Sequence, residues 1–503
     1  MKYSFNLDES SIIDRILEIN NVDFSDLDVS NFVVDKNIDV VDNFKEKLLS
    51  KKDKRFLIVG DYDCDGICAT AIISKLLTDL DIKSNYYIPS RSKEGYGINN
   101  NIVDMANNNN FEAIILVDNG IIASEQLKKC KELGISVFII DHHEYNIEPE
   151  CEAYLHPNLF IDKYKDMCAA GISALLSNSI RNDDFSTCLG GLATLADMVS
   201  VFNYNRYLLK QMIDILDRSE ILPIKLLLGD NKVTFDNLHY NVIPKINAVS
   251  RLDNMMNVNY VVKFLLADEN EAIKYYDKIE IINKARKEYT KQMFDLADSL
   301  VDNRKNIIVI KHDDFKEGLC GLVANRILAQ ANKPVLIFAN VDGQLKGSGR
   351  APIGTNFYDY LSQCKNLFSS FGGHAAAVGL SMDIDRYGEF IEYIDSHPIE
   401  YNEQVKDVIV LTKGQINLEL VNDIESLQPF GIDFVEPLIG LNNDYESRHV
   451  VANKYPKFII NDLLSAISFN TKLMNQSFDY MVGKLKNDDY NKGKLSLIIE
   501  DLV

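Results

Sequence analysis

The stretch RFLIVGDYDCDG at residues 55–66 runs from a short apolar segment directly into a turn rich in aspartate. Apolar segments of similar length recur at 85–89, 113–118 and 137–141, and amphipathic helical stretches lie between them. Short apolar strands that alternate with helices are typical of βαβ units, in which the strands run parallel. The sequence therefore predicts an α/β fold with a doubly wound parallel sheet.

Acidic side chains follow three of these four strands. Because the carboxyl ends of parallel strands meet at one edge of a sheet, we expect these side chains to converge on one crevice. A further acid, Asp197, lies in the otherwise apolar segment GLATLADMVS. The side chains that follow the strands are Asp61, Asp63 and Asp65 after the first, Asp118 after the third, and Asp141, His142 and His143 after the fourth.

Several carboxylates in one crevice repel each other unless cations neutralise them. Carboxylate oxygens together with an imidazole suit manganese or magnesium, and shared carboxylates are how proteins hold two such ions close together. The pattern therefore predicts a site for two divalent ions. The alternative is that residues 61–65 form a solvated turn and that the adjacent histidines are structural.

Changes in pattern divide the chain into five regions. A charged stretch at 269–300 has the period of one long helix, a second alternation of strands and helices starts at 306–312, and short alternating runs follow residue 401. The predicted regions are an N-terminal helical extension at 1–50, an α/β domain at 51–225, a helical connector at 226–304, a second α/β domain at 305–400 and a small β-rich domain at 401–503.

The composition limits the possible partners and the compartment. The 503 residues carry 53 Lys and Arg against 74 Asp and Glu, so any path for nucleic acid must be a local basic groove. Eight cysteines without a CxxC pair argue against a zinc ribbon or a disulfide framework and favour the cytoplasm. We find no apolar run of 18 residues and no signal segment, so we expect neither membrane spanning nor secretion.

A second cluster of functional residue types lies in the stretch at 347–382. Gly372 and Gly373 permit close backbone approach, and an Ala-rich helix that starts after them would present free N–H groups to an anion. Arg350 is suited to bidentate contact with phosphate oxygens. The sequence thus predicts a phosphate-binding segment, and the alternative is a glycine-rich turn that packs an Ala-rich helix on a sheet.

These motifs resemble those of the DHH superfamily of phosphoesterases, which appear here as DYDCDG, LVDNGI, IIDHHE and LATLADMV. The stretch GGHAAAVG resembles the signature of the DHH-associated domain, with Val378 in place of an alanine. The resemblance implies principal metal ligands at Asp63, Asp65, Asp118, His142 and Asp197. It implies that Asp61, a further candidate ligand, and Asp141 and His143 support the site, orient it or contact substrate.

Four further segments resemble one branch of this superfamily, the single-strand-specific exonucleases, and they are PSRSKEGYGIN, PKINAVSRLDN, FKEGLCGLVANRIL and LQPFGIDFVEPL. That resemblance implies 5′ to 3′ hydrolysis of single-stranded DNA in repair and recombination. It also implies two ions with manganese preferred over magnesium, an OB-like C-terminal domain, a monomer, and a single-strand-binding protein or helicase as partner. The implied substrate contacts are Arg91, Ser348 and Arg350 at the terminal 5′ phosphate, Arg251 on the backbone and His374 near the scissile phosphate, with Gly372 and Gly373 as further substrate-binding residues.

The chain departs from this branch at several positions, including Val249-Ser250, Phe315-Lys316 and residues 432–437, which concern the DNA path and leave the metal ligands intact. Tyr455, Phe458 and Phe469 are either stacking or core aromatics. Three other functions stay open: a phosphodiesterase for short oligonucleotides or cyclic dinucleotides, a pyrophosphatase, and an inactive DHH scaffold in a replication assembly.

Overall fold

The structure is a computed structural model that describes residues 2–8, 10–219, 221–401, 405–452, 454–470, 473, 476–488 and 491–503. The described chain forms two compact units. The smaller unit combines residues from 1–31, 200–202 and 404–503, and the larger unit combines residues from 32–199 and 203–403. No helix in the described ranges is both long and apolar enough to cross a bilayer.

The N-terminal region starts with a strand, β1 (Lys2–Asn6), which precedes two helices, α1 (Ile12–Asn20) and α2 (Phe24–Leu27). The predicted N-terminal extension is therefore only partly helical. The strand pairs in parallel with a strand that begins at Val405, so it belongs to the C-terminal sheet of the smaller unit.

The predicted parallel sheet is confirmed in the larger unit. Its five strands are all parallel, in the order β3-β2-β4-β5-β6. The central strands β2 and β4 are buried along their whole length, as expected when helices cover both faces. The elements are α3 (Asp39–Ser50), β2 (Phe56–Val59), α4 (Cys64–Asp79), β3 (Ser84–Tyr87), α5 (Asn100–Asn108), β4 (Ala113–Val117), α6 (Ser124–Glu132), β5 (Ser136–Ile140) and β6 (Ala153–Leu155).

Helices follow this sheet as far as residue 299. Helices α7 and α8 pack against α4, and the last of the series is the predicted long helix, 31 residues in length. The elements are α7 (Ala169–Ile180), α8 (Asp184–Ala196), α9 (Asn203–Arg218), α10 (Leu222–Leu228), α11 (Phe235–Asn237), α12 (Ile243–Arg251), α13 (Asn259–Leu266) and α14 (Glu269–Ser299).

A second five-stranded sheet follows, in the order β10-β11-β9-β8-β7. The predicted helix start after Gly373 is wrong, because β10 and β11 form an antiparallel hairpin there. A Cβ on Gly373 would lie 2.2 Å from the Ala377 carbonyl oxygen, so the two strands approach too closely for any side chain. The elements are β7 (Ile308–His312), α15 (Cys320–Ala331), β8 (Val335–Val341), β9 (Gln344–Arg350), α16 (Phe357–Ser362), β10 (Ser370–His374), β11 (Ala377–Asp383) and α17 (Tyr387–Ser396).

The C-terminal region is β-rich, as predicted, and forms an eight-stranded sheet in the order β1-β12-β13-β17-β18-β16-β15-β14. Among the three aromatic residues singled out from the sequence, Phe458 is fully buried and Phe469 is 61% exposed. Tyr455 is half-buried and meets Phe469 edge to face, with ring centroids 5.5 Å apart. The elements are β12 (Val405–Leu411), α18 (Leu418–Ser426), β13 (Leu438–Asn442), β14 (Ser447–Val451), β15 (Tyr455–Ile459), β16 (Leu464–Ser468), β17 (Tyr480–Asn487) and β18 (Leu495–Leu502).

Candidate active site

The turn between β2 and α4 places three aspartates at the edge where the parallel strands end. Asp63 caps α4, and its Oδ1 accepts hydrogen bonds from the backbone N–H groups of Asp65 at 3.0 Å and Gly66 at 3.3 Å. A Cβ on Gly66 would lie 2.6 Å from the backbone of Asp61. The turn can therefore be this tight only because a glycine stands at residue 66.

Asp65 is held by the N-terminus of α7. Its two carboxylate oxygens accept hydrogen bonds from the backbone N–H groups of Ala169 and Ala170, both at 2.8 Å. Unsatisfied N–H groups at a helix N-terminus favour an anion, so α7 orients this carboxylate and stabilises its charge. The side chain is almost completely buried.

Asp118 follows β4 with a backbone φ of +59°. Its carboxylate is buried, and its Oδ1 makes no hydrogen bond and lies 3.3 Å from His142 Nε2. Burial raises the pKa of Asp118 well above its usual range, and repulsion from Asp65 and Asp63 adds to the rise. A buried oxygen without a hydrogen-bond partner and with excess negative charge around it fits a position for a cation.

Asp141 has a different environment. Its oxygens accept hydrogen bonds from the N–H groups of Ile121, His142 and His143, and its Oδ1 lies 2.7 Å from His143 Nδ1. Burial raises the pKa of Asp141, but the hydrogen bond and charge of His143 outweigh it, so the net shift is downward. Burial lowers the pKa of His143, but the hydrogen bond and charge of Asp141, with the charges of Asp197 and Asp61, together outweigh it and raise the pKa to about 9. Asp141 thus orients its neighbour.

His142 and Asp197 complete the cluster. His142 Nε2 lies 3.6 Å from Asp197 Oδ2 and 3.8 Å from Asp65 Oδ2. Burial lowers the pKa of His142, which favours the neutral ring with a free lone pair. Burial raises the pKa of Asp197 to about 9, and repulsion from Asp65 contributes.

Three overlapping groups of potential ligand atoms result, each with its atoms within 4.8 Å of one another. Asp118 and His142 each belong to two groups, which is the arrangement expected where neighbouring ions share ligands. Every residue that the sequence predicts as a metal ligand belongs to at least one group. The groups are Asp61, Asp63 and Asp118; Asp65, His142 and Asp197; and Asp118, His142 and His143.

Two side chains that the sequence analysis did not single out position this centre. The Tyr96 hydroxyl donates to the Asp118 carbonyl at 2.9 Å and lies 3.2 Å from His143 Nδ1. His156 Nε2 donates to the His143 carbonyl at 3.0 Å, and its Nδ1 accepts from Asn158 N at 3.1 Å. Tyr96 lies within the PSRSKEGYGIN segment, so a signal was present for it, whereas the position of His156 depends on the pairing of β6 with β5.

A cleft of about 1440 Å³ opens beside His143. It contains five of the seven predicted substrate contacts, together with charged residues that were not predicted, among them Lys93, Glu317 and Lys346. The five are Arg91, Ser348, Gly372, Gly373 and His374.

Arg251 and Arg350, the other two predicted contacts, do not line this cleft but lie close to Arg91. Burial lowers the pKa of Arg251 to about 9, and repulsion from Arg91, Arg286 and Arg350 contributes. Burial also lowers the pKa of Arg350, with a further contribution from Arg91. Guanidinium groups gathered so closely are stabilised by a multiply charged anion, and phosphate has both the charge and the geometry for bidentate contact.

Comparison with known proteins agrees with this architecture. Residues 55–196 match the N-terminal domain of the DHH family, residues 304–397 match the DHHA1 domain, and residues 409–501 match the RecJ OB domain. The chain therefore contains a DHH-family N-terminal domain, a DHHA1 domain and a RecJ OB domain, and it resembles RecJ.

Two relatives and one solved structure illustrate the likeness. The single-stranded-DNA-specific exonuclease RecJ of Bacillus subtilis is 27% identical over 93% of this chain, which spans 65% of that protein's length. The Escherichia coli RecJ is 29% identical over 84% of this chain and 81% of its own. The crystal structure of RecJ in complex with Mn²⁺ from Thermus thermophilus matches with a TM-score of 0.82 and 21% identity, covering 99% of this chain and 78% of that chain.

Proposed function

We propose that this protein is a 5′ to 3′ exonuclease specific for single-stranded DNA, which hydrolyses phosphodiester bonds with two divalent ions. The observation that carries the proposal is the position of the overlapping ligand groups directly beside a cleft that Arg91 lines, with Arg251 and Arg350 close to Arg91. The RecJ relatives, which are named as exonucleases of this specificity, support the same assignment.

The donor set fits divalent ions of the manganese or magnesium type. Asp61 and Asp118 each have a buried carboxylate oxygen without a hydrogen-bond partner, and such oxygens are costly unless a cation neutralises them. Ions bound here would lower the pKa of water and stabilise the charge that develops on the phosphate. We propose manganese as the preferred ion, since the donors combine oxygen with imidazole. The proposed ligands are Asp61, Asp63, Asp65, Asp118, His142 and Asp197.

Asp141 and His143 act on the substrate side of this centre. Asp141 fixes the His143 ring through Nδ1, which leaves Nε2–H free to donate to an oxygen of the scissile phosphate. His143 also lines the cleft in which the strand would lie. The proposed catalytic set is Asp63, Asp65, Asp118, Asp141, His142, His143 and Asp197.

The cleft supplies the polarity of the reaction. Arg91, Ser348 and Arg350 would bind the terminal 5′ phosphate, and Arg251 the backbone. The exposed hairpin residues Gly372, Gly373 and His374 would contact the scissile phosphate. A strand anchored by its 5′ phosphate presents its first linkages to the ligand cluster, which yields stepwise release from the 5′ end.

An end-specific degradation assay tests the proposal. A single strand labelled at either terminus is incubated with the protein and Mn²⁺, beside a duplex, a dinucleotide, a cyclic dinucleotide and pyrophosphate. We expect short labelled products first from the 5′-labelled strand and little hydrolysis of the other substrates. Release that begins at the 3′ terminus contradicts the polarity, faster turnover of dinucleotides favours the short-substrate alternative, and no hydrolysis of any substrate favours an inactive scaffold.

We propose a cytoplasmic monomer that acts in DNA repair and recombination, with a single-strand-binding protein or a helicase as partner.

A further inference from the structure

One carboxylate outside the ligand groups, Asp253, holds the loop that carries Arg91. Its Oδ2 accepts hydrogen bonds from Ser90 Oγ at 2.7 Å and from Ser92 N at 2.9 Å. Ser92 Oγ lies within 2.9 Å of both carboxylate oxygens. Since the two serines flank Arg91 directly, Asp253 fixes the loop on both sides of the arginine.

The other hydrogen bonds of this loop lie before or after the arginine, whose guanidinium lies over the Tyr62 ring at 5.1 Å from the ring centroid. Asn259 hydrogen bonds to the backbone N–H and carbonyl of Ile88, at 2.8 and 2.9 Å. Glu94 accepts from Ser90 N and from Tyr87 Oη, both at 2.8 Å. These contacts fix the position at which the loop leaves β3. Among the side chains of the described residues, only that of Asp253 forms hydrogen bonds with Ser92.

The segment that contains Asp253 also contacts the opposite side of the cleft. Arg251 Nη1 donates to the Gly318 carbonyl at 3.2 Å. A Cβ on Gly318 would lie 2.2 Å from the Arg251 carbonyl oxygen, so the two backbones are in direct contact. Gly318 belongs to the 3-10 turn Glu317–Leu319, and Glu317 lines the cleft together with Ser348. One short segment thus contacts both walls.

We propose that Asp253 is a positioning residue that holds Arg91 opposite Ser348 and Arg350 and thereby sets the selectivity of the cleft for a 5′-terminal phosphate. The inference rests on the proposed function and extends it to a residue that touches no reacting atom. Without Asp253, Arg91 keeps its charge, but its loop loses the hydrogen bonds through Ser90 and Ser92. These bonds hold the Arg91 guanidinium in position relative to the other anion-binding groups. A group displaced by about 1 Å can lose most of its contribution to a bound geometry.

The test compares one single strand carrying either a 5′ phosphate or a 5′ hydroxyl, hydrolysed with Mn²⁺ by the full chain and by Asp253→Asn and Asp253→Ala. We expect kcat/KM for the phosphorylated strand to fall about tenfold through KM, and the preference for phosphate over hydroxyl to fall by a similar factor. Adding Ser90→Ala to Asp253→Ala should cause no further loss of preference, since the contact is already absent. Asp295→Asn, on the exposed side of α14, serves as the matched control and should keep the preference.

Equal losses of kcat/KM on both strands would overturn the inference, because they would mark Asp253 as merely structural, and so would an unchanged preference. Ser92→Ala removes only one of the partners and keeps the test valid if the Asp253 variants fold poorly. Failure of the proposed function has a different signature, which is the absence of hydrolysis of either strand by the unmodified chain. In that case, equilibrium binding of the two strands still tests the role of Asp253. If the unmodified chain prefers the phosphorylated strand about tenfold and Asp253→Asn removes this preference, the inference is supported. If the preference persists in Asp253→Asn, the inference is overturned.

Discussion

Asp118 and Asp141 follow neighbouring strands and are both buried, yet their pKa values move in opposite directions. The difference arises from their partners, because Asp118 faces other carboxylates whereas Asp141 accepts four hydrogen bonds. The sequence predicted that these acids share one crevice, since strand order determines which loops meet. The sequence could not show which of the two acids is a cation ligand and which orients a neighbouring side chain. These roles depend on the hydrogen bonds of individual carboxylate oxygens.

The first prediction concerns Asp118→Asn, which keeps a residue tolerant of the positive φ at this position. We expect metal-dependent hydrolysis to fall to background. Because the pKa of Asp118 is raised in the folded state, the native state binds more protons than the unfolded state. The carboxylate therefore lowers the free energy of unfolding as the pH rises above its pKa in the unfolded state, which is near 4. The variant should therefore gain about 1 kcal/mol in the metal-free free energy of unfolding at pH 7. Denaturant titration in a chelator measures this, and a loss of stability would contradict it.

Asp141→Asn should lower the free energy of unfolding, in contrast to Asp118→Asn. The pKa of Asp141 is lowered in the folded state, so the ionised group contributes stability above its unfolded pKa, and removing the charge at pH 7 should lower the free energy of unfolding. Since His143 loses its orienting partner, we expect hydrolysis to fall by about 10- to 100-fold without loss of the metal ligands. Activity and Mn²⁺ affinity measured together check this, and unchanged activity would contradict the assigned role.

At the scale of elements, patterns within one segment predicted structure well, and pairings between distant segments were missed. The strands of the first sheet and the long helix α14 carry their own signals of burial and period. The strand β1 is a short mixed segment whose partner β12 lies some 400 residues away, so no local pattern indicates it. The hairpin β10–β11 was mistaken for a helix start because its alanines favour helix, whereas its antiparallel pairing decides the outcome.

Gly66→Ala tests the junction between β2 and α4. The added methyl group would meet the Asp61 backbone at 2.6 Å, which cannot move without shifting the aspartate turn. We expect a loss of about 1–3 kcal/mol in the free energy of unfolding, together with loss of hydrolysis. Gly388→Ala is the matched control, because it lies in α17 with open space around its Cβ and should be neutral or stabilising by up to about 1 kcal/mol. Equal behaviour of both variants would show that the junction tolerates a side chain.

On the scale of the whole molecule, a formal charge of −21 coexists with a group of neighbouring arginines, Arg91, Arg251 and Arg350, beside the cleft. The excess acid repels nucleic acid in general, so binding must depend on a few local cations. This follows from the net charge of the sequence, and the resemblance implies three of these cations, Arg91, Arg251 and Arg350, but not Lys346. Lys346 lies on β9 and reaches the cleft only through the antiparallel pairing of that strand, which the sequence analysis did not predict.

The small number of cations predicts a shallow salt dependence of strand binding. With Arg91, Arg251, Lys346 and Arg350 as the phosphate contacts, log K should fall against log salt with a slope of about −3 for a single strand. Removing one contact by Lys346→Gln should reduce the slope by about 0.7, whereas Lys305→Gln, in an exposed ion pair with Asp395, should leave it unchanged. Fluorescence anisotropy of a labelled single strand with Ca²⁺ in place of Mn²⁺ measures both slopes. A slope of about −6 or steeper would mean that cations far beyond this cleft bind the strand, and an equal effect of the two lysine variants would place the phosphate path elsewhere.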